Sequence, residues 1–207
     1  MSFEVMSEEL CVRQLHSDKE VIGRLGDILQ GELRPSSECR SALSVAMKVT
    51  TALNFYACGS FQASHVQNHP ERCIHQVTNA IFWRAPDSIH FDMSPAEVRG
   101  RAVRVHRIAG FPEVLGVIAG FHIQLKAANA QPVSYMNTQG FHSLNIVTIC
   151  DAQMRILAVN TEHKGSAADA FVLENSSLAQ FMNKCHQRSG WLLAGRGYPL
   201  KTWLMVP

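Results

Sequence analysis

The 207-residue sequence predicts an α/β fold in which helices precede a β-sheet. Apolar side chains recur at three- and four-residue spacings through the first half of the chain, as in amphipathic helices. After Phe111, short runs rich in Val and Ile alternate with turn residues, as in strands. Hydrophobic residues make up 46% of the chain and charged residues 17%, which favours a packed protein over a disordered one.

The first half of the chain is expected to contain four helical segments. They cover residues 8–30, as one helix or a helix pair, and residues 39–57, 71–85 and 94–110. Gly59 is a plausible stop for the second segment, and Pro86 should end the third. The fourth has the most specific start signal, because Ser94 as N-cap, Pro95 at the first helical position and Glu97 match a capping box.

The second half of the chain has the order β-β-β-α-β. Strands are expected at 114–126, 143–150 and 155–162, with the segment 151–154 as a hairpin link, and then at 190–195. A helix should lie between the third and fourth strands, with Ser166 and Asp169 as another capping box. The chain ends on an apolar segment around Trp203. We expect this segment to be uncovered and the sheet to be cut short.

Composition excludes several classes of protein. The longest apolar run, near residues 114–121, is too short to cross a bilayer, and the acidic N-terminus lacks signal-peptide features, so we expect an intracellular protein without a membrane partner. The six cysteines are scattered without a C-x-x-C pair, which favours free thiols. A net charge of +2 neither requires nor excludes nucleic acid.

The predicted division of the chain lies near residue 111. Residues 1–110 form a helical region with a degenerate helix-turn-helix, and residues 111–207 form a partial sheet domain. The order β-β-β-α-β is that of an RNase H-like domain, so the fold class is α/β, with an RNase H-like domain that is incomplete at its C-terminal end.

Four segments carry a family resemblance: "GVIAGFH", "VSYMNTQGFHSLNIVTICDAQMRILAV", "GSAADAFVLENSSL" and "GWLLAGRGYPLKTWLMVP". From about residue 53 to residue 207, the chain resembles the Harbinger transposase-derived nuclease family of DDE superfamily endonucleases. The resemblance implies Mg²⁺- or Mn²⁺-dependent hydrolysis of nucleic-acid phosphodiester bonds by two aspartates and a third, C-terminal acid. It also implies a nuclear and cytoplasmic protein that contacts DNA or a DNA-binding partner, without a small-molecule cofactor.

The metal-binding acids that the resemblance implies are missing from this sequence. The first falls on Ala119, and the second falls on Gly195, which is followed by Arg196. The third lies downstream of residue 207. Neither a methyl group nor a hydrogen atom can coordinate magnesium, so we expect no metal to be bound and hydrolysis to be lost.

Two neighbouring residues of the family motifs are retained, His122 and Asp169. A lone histidine on a buried strand is more often a hydrogen-bonded core residue than a catalytic one. Asp169 is placed as a helix-start acid, and Asp151 as a hairpin residue. We therefore expect neither aspartate to replace the missing acids.

Nucleic-acid contact is the property that could persist without catalysis. Arg101, Arg104 and Arg107 recur every third residue of one predicted helix and are the candidate DNA-binding residues, although a solvated helix face is the simpler interpretation. Base-specific docking by the helix-turn-helix is doubtful, because the segment is short and has Pro70 where the turn and second helix should meet.

Two further interpretations stay open at this point. His65, His69 and Cys73 have the four-residue spacing of a zinc site on one helix, although Pro70 argues against a continuous helix. The chain could also act as a non-catalytic DNA- or partner-binding scaffold, or be a decayed gene product without function.

Overall fold

The protein folds as two compact units, Met1–Ser88 and Ile89–Pro207. The computed structural model describes residues 2–34, 43–59, 70–126, 133–185 and 190–207. Within these ranges the first unit is helical and the second contains a five-stranded sheet. The predicted α/β fold, with helices first, is therefore confirmed.

The first unit contains helices α1 to α5. Their bounds are Glu8–Leu15, Lys19–Ile28, Gln30–Leu33, Val45–Cys58 and Pro70–Ser88. Residues 8–30 form separate helices because His16 adopts a left-handed φ of 55° and the Asp18 side chain accepts a hydrogen bond from the Val21 amide at 2.8 Å. Gly59, with a φ of 67°, ends α4 as predicted.

The two prolines of α5 lie where a helix tolerates them. Pro70 is its first residue, where a missing N–H removes no helical hydrogen bond. The predicted end before Pro86 is wrong, because α5 continues to Ser88 with Pro86 in its last turn. Only two residues follow Pro86, so little of the helix can be disrupted by the lost bond.

The core of the first unit joins all five helices. Its fully buried apolar side chains include Cys11, Ile22, Leu29, Val49, Ala52 and Val77. Beside this core, the Lys48 ammonium group donates to the Leu33 carbonyl oxygen at 2.9 Å, and the Arg84 guanidinium group lies 2.7 Å from Glu32. These contacts tie α3 to α4 and α5.

The second unit contains helices α6 to α8 and strands β1 to β5. In chain order they are α6 (Pro95–Ala109), β1 (Val114–Gln124), β2 (Ser143–Cys150), β3 (Ile156–Lys164), α7 (Asp169–Glu174), α8 (Ser177–Cys185), β4 (Trp191–Leu193) and β5 (Leu204–Met205). The predicted division at residue 111 assigns α6 to the N-terminal helices, whereas α6 lies in the compact unit of the sheet. That residues 1–110 and 111–207 are separate domains stays a prediction.

Neither predicted capping box forms. Ser94 lies at the N-cap of α6 without a side-chain cap bond, and its hydroxyl group and amide instead donate to the Asp92 carboxylate at 3.1 and 2.7 Å. The N-cap of the next predicted helix is Ala168, so Ser166 lies outside it. At α6 the Ser94 hydroxyl group donates to Asp92 instead of accepting from a helical amide. At the next helix the N-cap lies two residues after Ser166.

The sheet has the order β3-β2-β1-β4-β5. Strand β1 pairs antiparallel with β2, which pairs antiparallel with β3. On its other side, β1 pairs in parallel with β4, which pairs in parallel with β5. An antiparallel three-strand meander extended by two parallel strands is consistent with an RNase H-like fold.

The C-terminal segment is covered. We expected an exposed apolar face around Trp203, but Trp203 and Leu204 are each 0% exposed. The Trp203 ring N–H donates to the Asn183 side-chain oxygen at 2.7 Å, which anchors the ring to α8. The expectation was wrong because this short segment packs into the core of the second unit.

None of the helices in the described ranges combines the length and the apolar character that a membrane crossing requires.

Two isoleucines of the sheet provide a matched test of this core. Ile149 is 0% exposed on β2, and Ile123 is 49% exposed on β1. Ile149→Ala should lower the free energy of unfolding by about 3 kcal/mol, because it leaves a cavity, and Ile123→Ala by less than about 1 kcal/mol. Urea unfolding of both variants measures this difference. Equal losses would contradict the assignment of Ile149 to the core.

Candidate functional site

The parallel pairing of β1 with β4 determines which residues lie side by side at the candidate site. Val117 is the register partner of Leu193. Continuing this register by two residues places Ala119 beside Gly195, just beyond the end of β4. Paired strands lie about 4.8 Å apart, so side chains at positions 119 and 195 would meet at one site.

The residues present at this site do not fit a divalent metal ion. Ala119 contributes a methyl group and Gly195 a hydrogen atom, whereas Mg²⁺ and Mn²⁺ prefer oxygen ligands. A Cβ atom added to Gly195 would have nothing within 4 Å, so the space beside it is open. The adjacent Arg196 is exposed and cationic. In the ranges that the structure describes, no group of three or more His, Cys, Asp and Glu residues could hold a metal.

The opposite face of β1 is crowded at Gly120. A Cβ atom on Gly120 would lie 2.7 Å from Oδ2 of Asp169 and 2.9 Å from the hydroxyl oxygen of Tyr198. Oδ1 of Asp169 accepts a hydrogen bond from the Asn145 amide at 2.8 Å. Because successive side chains of a strand point to opposite faces, Asp169 lies on the far side of β1 from the methyl group of Ala119.

Three polar atoms on this crowded face are buried without a hydrogen-bond partner among the described residues. They are the Tyr198 hydroxyl oxygen, Asn145 Oδ1 and His163 Nε2. Asn145 and His163 are cross-strand partners in β2 and β3. Burial, with a smaller contribution from the Asp169 carboxylate, raises the pKa of Tyr198 above its ordinary value, so its phenol stays neutral at physiological pH.

His122 is a hydrogen-bonded residue of the sheet. Its Nδ1 lies 3.0 Å from the Ser143 hydroxyl oxygen, which also accepts from the Asn137 amide at 3.0 Å. Ser143 and Asn137 are both buried. The ring of His122 packs edge-on against Phe141, with centroids 6.5 Å apart. These contacts join β1 to β2 and to the segment that precedes β2.

Asp151 organises the hairpin between β2 and β3. Its Oδ1 accepts from the amides of Gln153 and Arg155 at 2.8 and 3.0 Å, and its Oδ2 lies 2.7 Å from the Arg155 guanidinium group. Burial alone would raise the pKa of Asp151, but these hydrogen bonds and the Arg155 charge together lower it below the ordinary value. The carboxylate is therefore committed to the turn, as predicted.

The three arginines predicted to bind DNA do not share one exposed face of α6. Arg101 is 2% exposed and donates to the Asp92 carbonyl oxygen, while Arg104 is partly buried, 4.0 Å from Glu97. Arg107 is exposed. A three-residue spacing drifts by about 60° per step around a helix with 3.6 residues per turn, so the three side chains spread over different faces.

The exposed cationic side chains of α6 are those of Arg99 and Arg107. Arg99 was missed because the candidate residues were chosen by a three-residue repeat, which does not include it. Arg99 lies on the face of α6 opposite the buried Arg101.

The zinc interpretation falls mainly on residues 60–69, which lie outside the described residues together with His65 and His69. Cys73 is buried in α5. Burial raises the pKa of its thiol, which disfavours the thiolate that zinc binds. Most of the turn of the predicted helix-turn-helix also lies outside the described residues.

Asn145 and Tyr198 are the residues of this region that sequence reasoning missed. Asn145 is a polar residue in the middle of the apolar run "SLNIVTIC", and such a residue on a central strand requires a partner. Tyr198 belongs to the segment "GYPL", whose family resemblance was noted for its neighbours. Either signal could have identified the contact with Asp169.

The neighbours of Gly120 leave no room for a side chain at this position. Gly120→Ala should lower the free energy of unfolding by about 1–3 kcal/mol, because the added methyl group overlaps Asp169 and Tyr198. Gly195→Ala, which meets nothing within 4 Å, is the matched control and should change stability by less than about 0.5 kcal/mol. Thermal and urea unfolding give both values, and equal losses would show that the crowding at Gly120 is absent.

Comparison with known proteins assigns this architecture to a family. Residues 118–207 match the family described as DDE superfamily endonuclease. The chain is 34% identical over 209 residues to the Bos taurus protein named "Putative nuclease HARBI1", covering 98% of this chain and 60% of that protein. The Homo sapiens protein of the same name is 32% identical, again over 98% and 60%. The Xenopus laevis protein is 36% identical over 90% of this chain and 55% of its own length.

The match includes both units, although the chain spans only about 60% of the length of the mammalian relatives. No solved structure matches the chain. Strand β4 and residues 118–124 of β1 lie within the family match, which begins at residue 118. The chain is homologous to the proteins named "Putative nuclease HARBI1", and its residues 118–207 belong to the DDE superfamily endonucleases.

Proposed function

We propose that this chain is a nuclease-family protein that has lost metal-dependent hydrolysis and acts as a non-catalytic binding or scaffold protein. The observation that carries the proposal is the register of β1 and β4, in which Val117 pairs with Leu193, so that continuing it by two residues would bring Ala119 beside Gly195. These are the positions at which the family resemblance implies the first two metal-binding aspartates. Two carboxylates at these positions could face one ion, but neither Ala119 nor Gly195 has a carboxylate.

Electrostatics at the site supports the loss of metal binding. Endonucleases of this superfamily generally use divalent metal ions, which carboxylates hold against their strong hydration. Arg196 follows Gly195 in the chain and is exposed, so it adds a positive charge near the site that disfavours a cation there. Asp169 cannot compensate, because Gly120 and Asn145 hold its carboxylate on the opposite face of β1.

A nuclease assay tests the absence of hydrolysis. The purified chain should leave supercoiled and linear DNA uncut in the presence of either Mg²⁺ or Mn²⁺, since no cation is held near the phosphodiester bond. Cleavage that co-purifies with the protein through successive columns would overturn the proposal.

A restored site tests the assignment of the two positions. The variant Ala119→Asp/Gly195→Asp should bind Mn²⁺ at least about tenfold more tightly than the native chain, because two carboxylates would then face one ion. The isosteric control Ala119→Asn/Gly195→Asn adds the same bulk without charge and should bind no more tightly. Isothermal titration measures all three proteins. Equal affinities for the Asp and Asn variants would show that the positions do not converge.

DNA binding is the second candidate function, favoured by the exposure of Arg99 and Arg107 on α6. The double variant Arg99→Ala/Arg107→Ala should weaken duplex binding several-fold and reduce the salt-dependence slope by about 1–2, because two phosphate contacts are lost. Arg13→Ala/Arg24→Ala removes the same charge from exposed positions of α1 and α2 and is the matched control.

Fluorescence anisotropy at two salt concentrations gives both the affinity and the slope. If the α6 variant and the control variant bind alike, the exposed face of α6 does not contact DNA. A DNA-binding role would agree with the nuclear and cytoplasmic location that we propose from the resemblance, which imaging of a fluorescent fusion tests. The two buried cores favour a folded product over a decayed one.

A further inference from the structure

The second unit contains a cavity whose lining does not include positions 119 and 195. Its volume is about 430 Å³, and it lies between the start of α8 and the faces of β2 and β3. The floor consists of two cross-strand pairs, Val147 with Asn160 and Ile149 with Ala158. Ala158 has the smallest side chain of these four residues and is only partly buried, so the cavity extends toward it.

Two aromatic rings form the walls of the cavity. Phe91 and Phe181 meet edge-on, with ring centroids 6.4 Å apart. The Arg101 guanidinium carbon lies 4.9 Å from the centroid of the Phe91 ring, and Arg101 is itself buried and bonded to the Asp92 carbonyl oxygen. This contact holds the Phe91 wall in place before any ligand arrives. It also gives Arg101 a packing role in place of the predicted contact with DNA.

The lining of the cavity selects against ions. None of the lining residues in the described part of the chain has an ionisable side chain. An ionic ligand would lose its hydration without gaining a counter-charge, so the cavity favours an uncharged molecule. The apolar floor and the aromatic walls match a ring-bearing body of roughly 200–300 Å³, which would fill most of the space.

The lining residues with polar side chains are Asn160, Ser176 and Ser177. The Ser176 hydroxyl group is already engaged, since it donates to the Leu173 carbonyl oxygen at 2.6 Å and accepts from the Ala179 amide at 3.1 Å. Oδ1 of Asn160 accepts from the Glu162 amide at 3.2 Å. Because Oδ1 is the atom that accepts this bond, the other side-chain atom of Asn160 is the NH₂ group, which is a donor. It could donate to a carbonyl-type oxygen at one end of a ligand.

We propose that this cavity binds an uncharged aromatic small molecule whose carbonyl-type oxygen accepts a hydrogen bond from Asn160. The ring system packs against the Phe91 and Phe181 pair over the floor at Ala158. This inference is independent of positions 119 and 195, so it holds whether or not hydrolysis is lost.

Titration with prodan, a neutral naphthyl ketone with environment-sensitive fluorescence, tests the proposal. The native chain should bind one prodan molecule with a blue-shifted emission. Ala158→Leu fills the floor and should weaken binding at least about tenfold. Ala96→Leu adds the same volume at an exposed position of α6 and should leave binding unchanged.

Asn160→Ala provides a second variant with little risk to folding, because Asn160 is only partly buried. It should weaken prodan binding about 3–10-fold, because the ketone loses its donor. It should not weaken binding of 2-dimethylaminonaphthalene, a matched probe without the ketone. Circular dichroism and urea unfolding verify that each variant is folded.

Three results would overturn the proposal. The first is unchanged prodan affinity in both Ala158→Leu and Asn160→Ala. The second is equal or tighter binding of an anionic naphthalene sulfonate, which would mean that charge is not excluded. The third is a prodan affinity that falls as the protein self-associates in sedimentation experiments, which would mean that a second copy of the chain covers this surface.

Discussion

Parallel backbone pairing between β1 and β4 is the constraint on which the functional interpretation depends. The Trp191 amide donates to the Glu113 carbonyl oxygen at 3.0 Å, and the pairing continues to Val117 and Leu193. Strand β1 is held on its other side by eight register pairs with β2, so it cannot slide without breaking both ladders. Continued by two residues, this register would bring positions 119 and 195 together through backbone geometry, whatever side chains they have.

The two faces of β1 explain how the sheet can keep its packing without acids at positions 119 and 195. On one face, Gly120 and His122 contact side chains that join β1 to β2, α7 and the segment after β4. Substitution there disturbs several elements at once. On the other face, Ala119 is exposed, and Gly195 has open space around it. A side chain at either of these positions would make few packing contacts, so the absence of an acid there leaves the packing intact.

Sequence reasoning predicted the fold well where periodicity was strong. The strand at 143–150 was predicted with its observed bounds, and the order of the first three strands followed from apolar runs separated by turn residues. The single helix predicted between the third and fourth strands is wrong, because this segment forms two helices, α7 and α8. It failed where tertiary contacts override a local pattern. Ser94 bonds to Asp92 instead of capping α6, and Trp203 is buried by α8 instead of being exposed.

The candidate site shows the same division. The absence of acids at Ala119 and Gly195 can be read from the residues, but their proximity depends on the β1–β4 register, which no local pattern encodes. The burial of Arg101 against Phe91 could not be predicted, because a three-residue repeat does not show which side of a helix faces the sheet. Anomalous diffraction from crystals soaked in MnCl₂ tests the central claim most directly. We predict a manganese peak between positions 119 and 195 in the Ala119→Asp/Gly195→Asp variant and none in the native protein, whereas a fully occupied ion beside Ala119 and Gly195 of the native protein would contradict it.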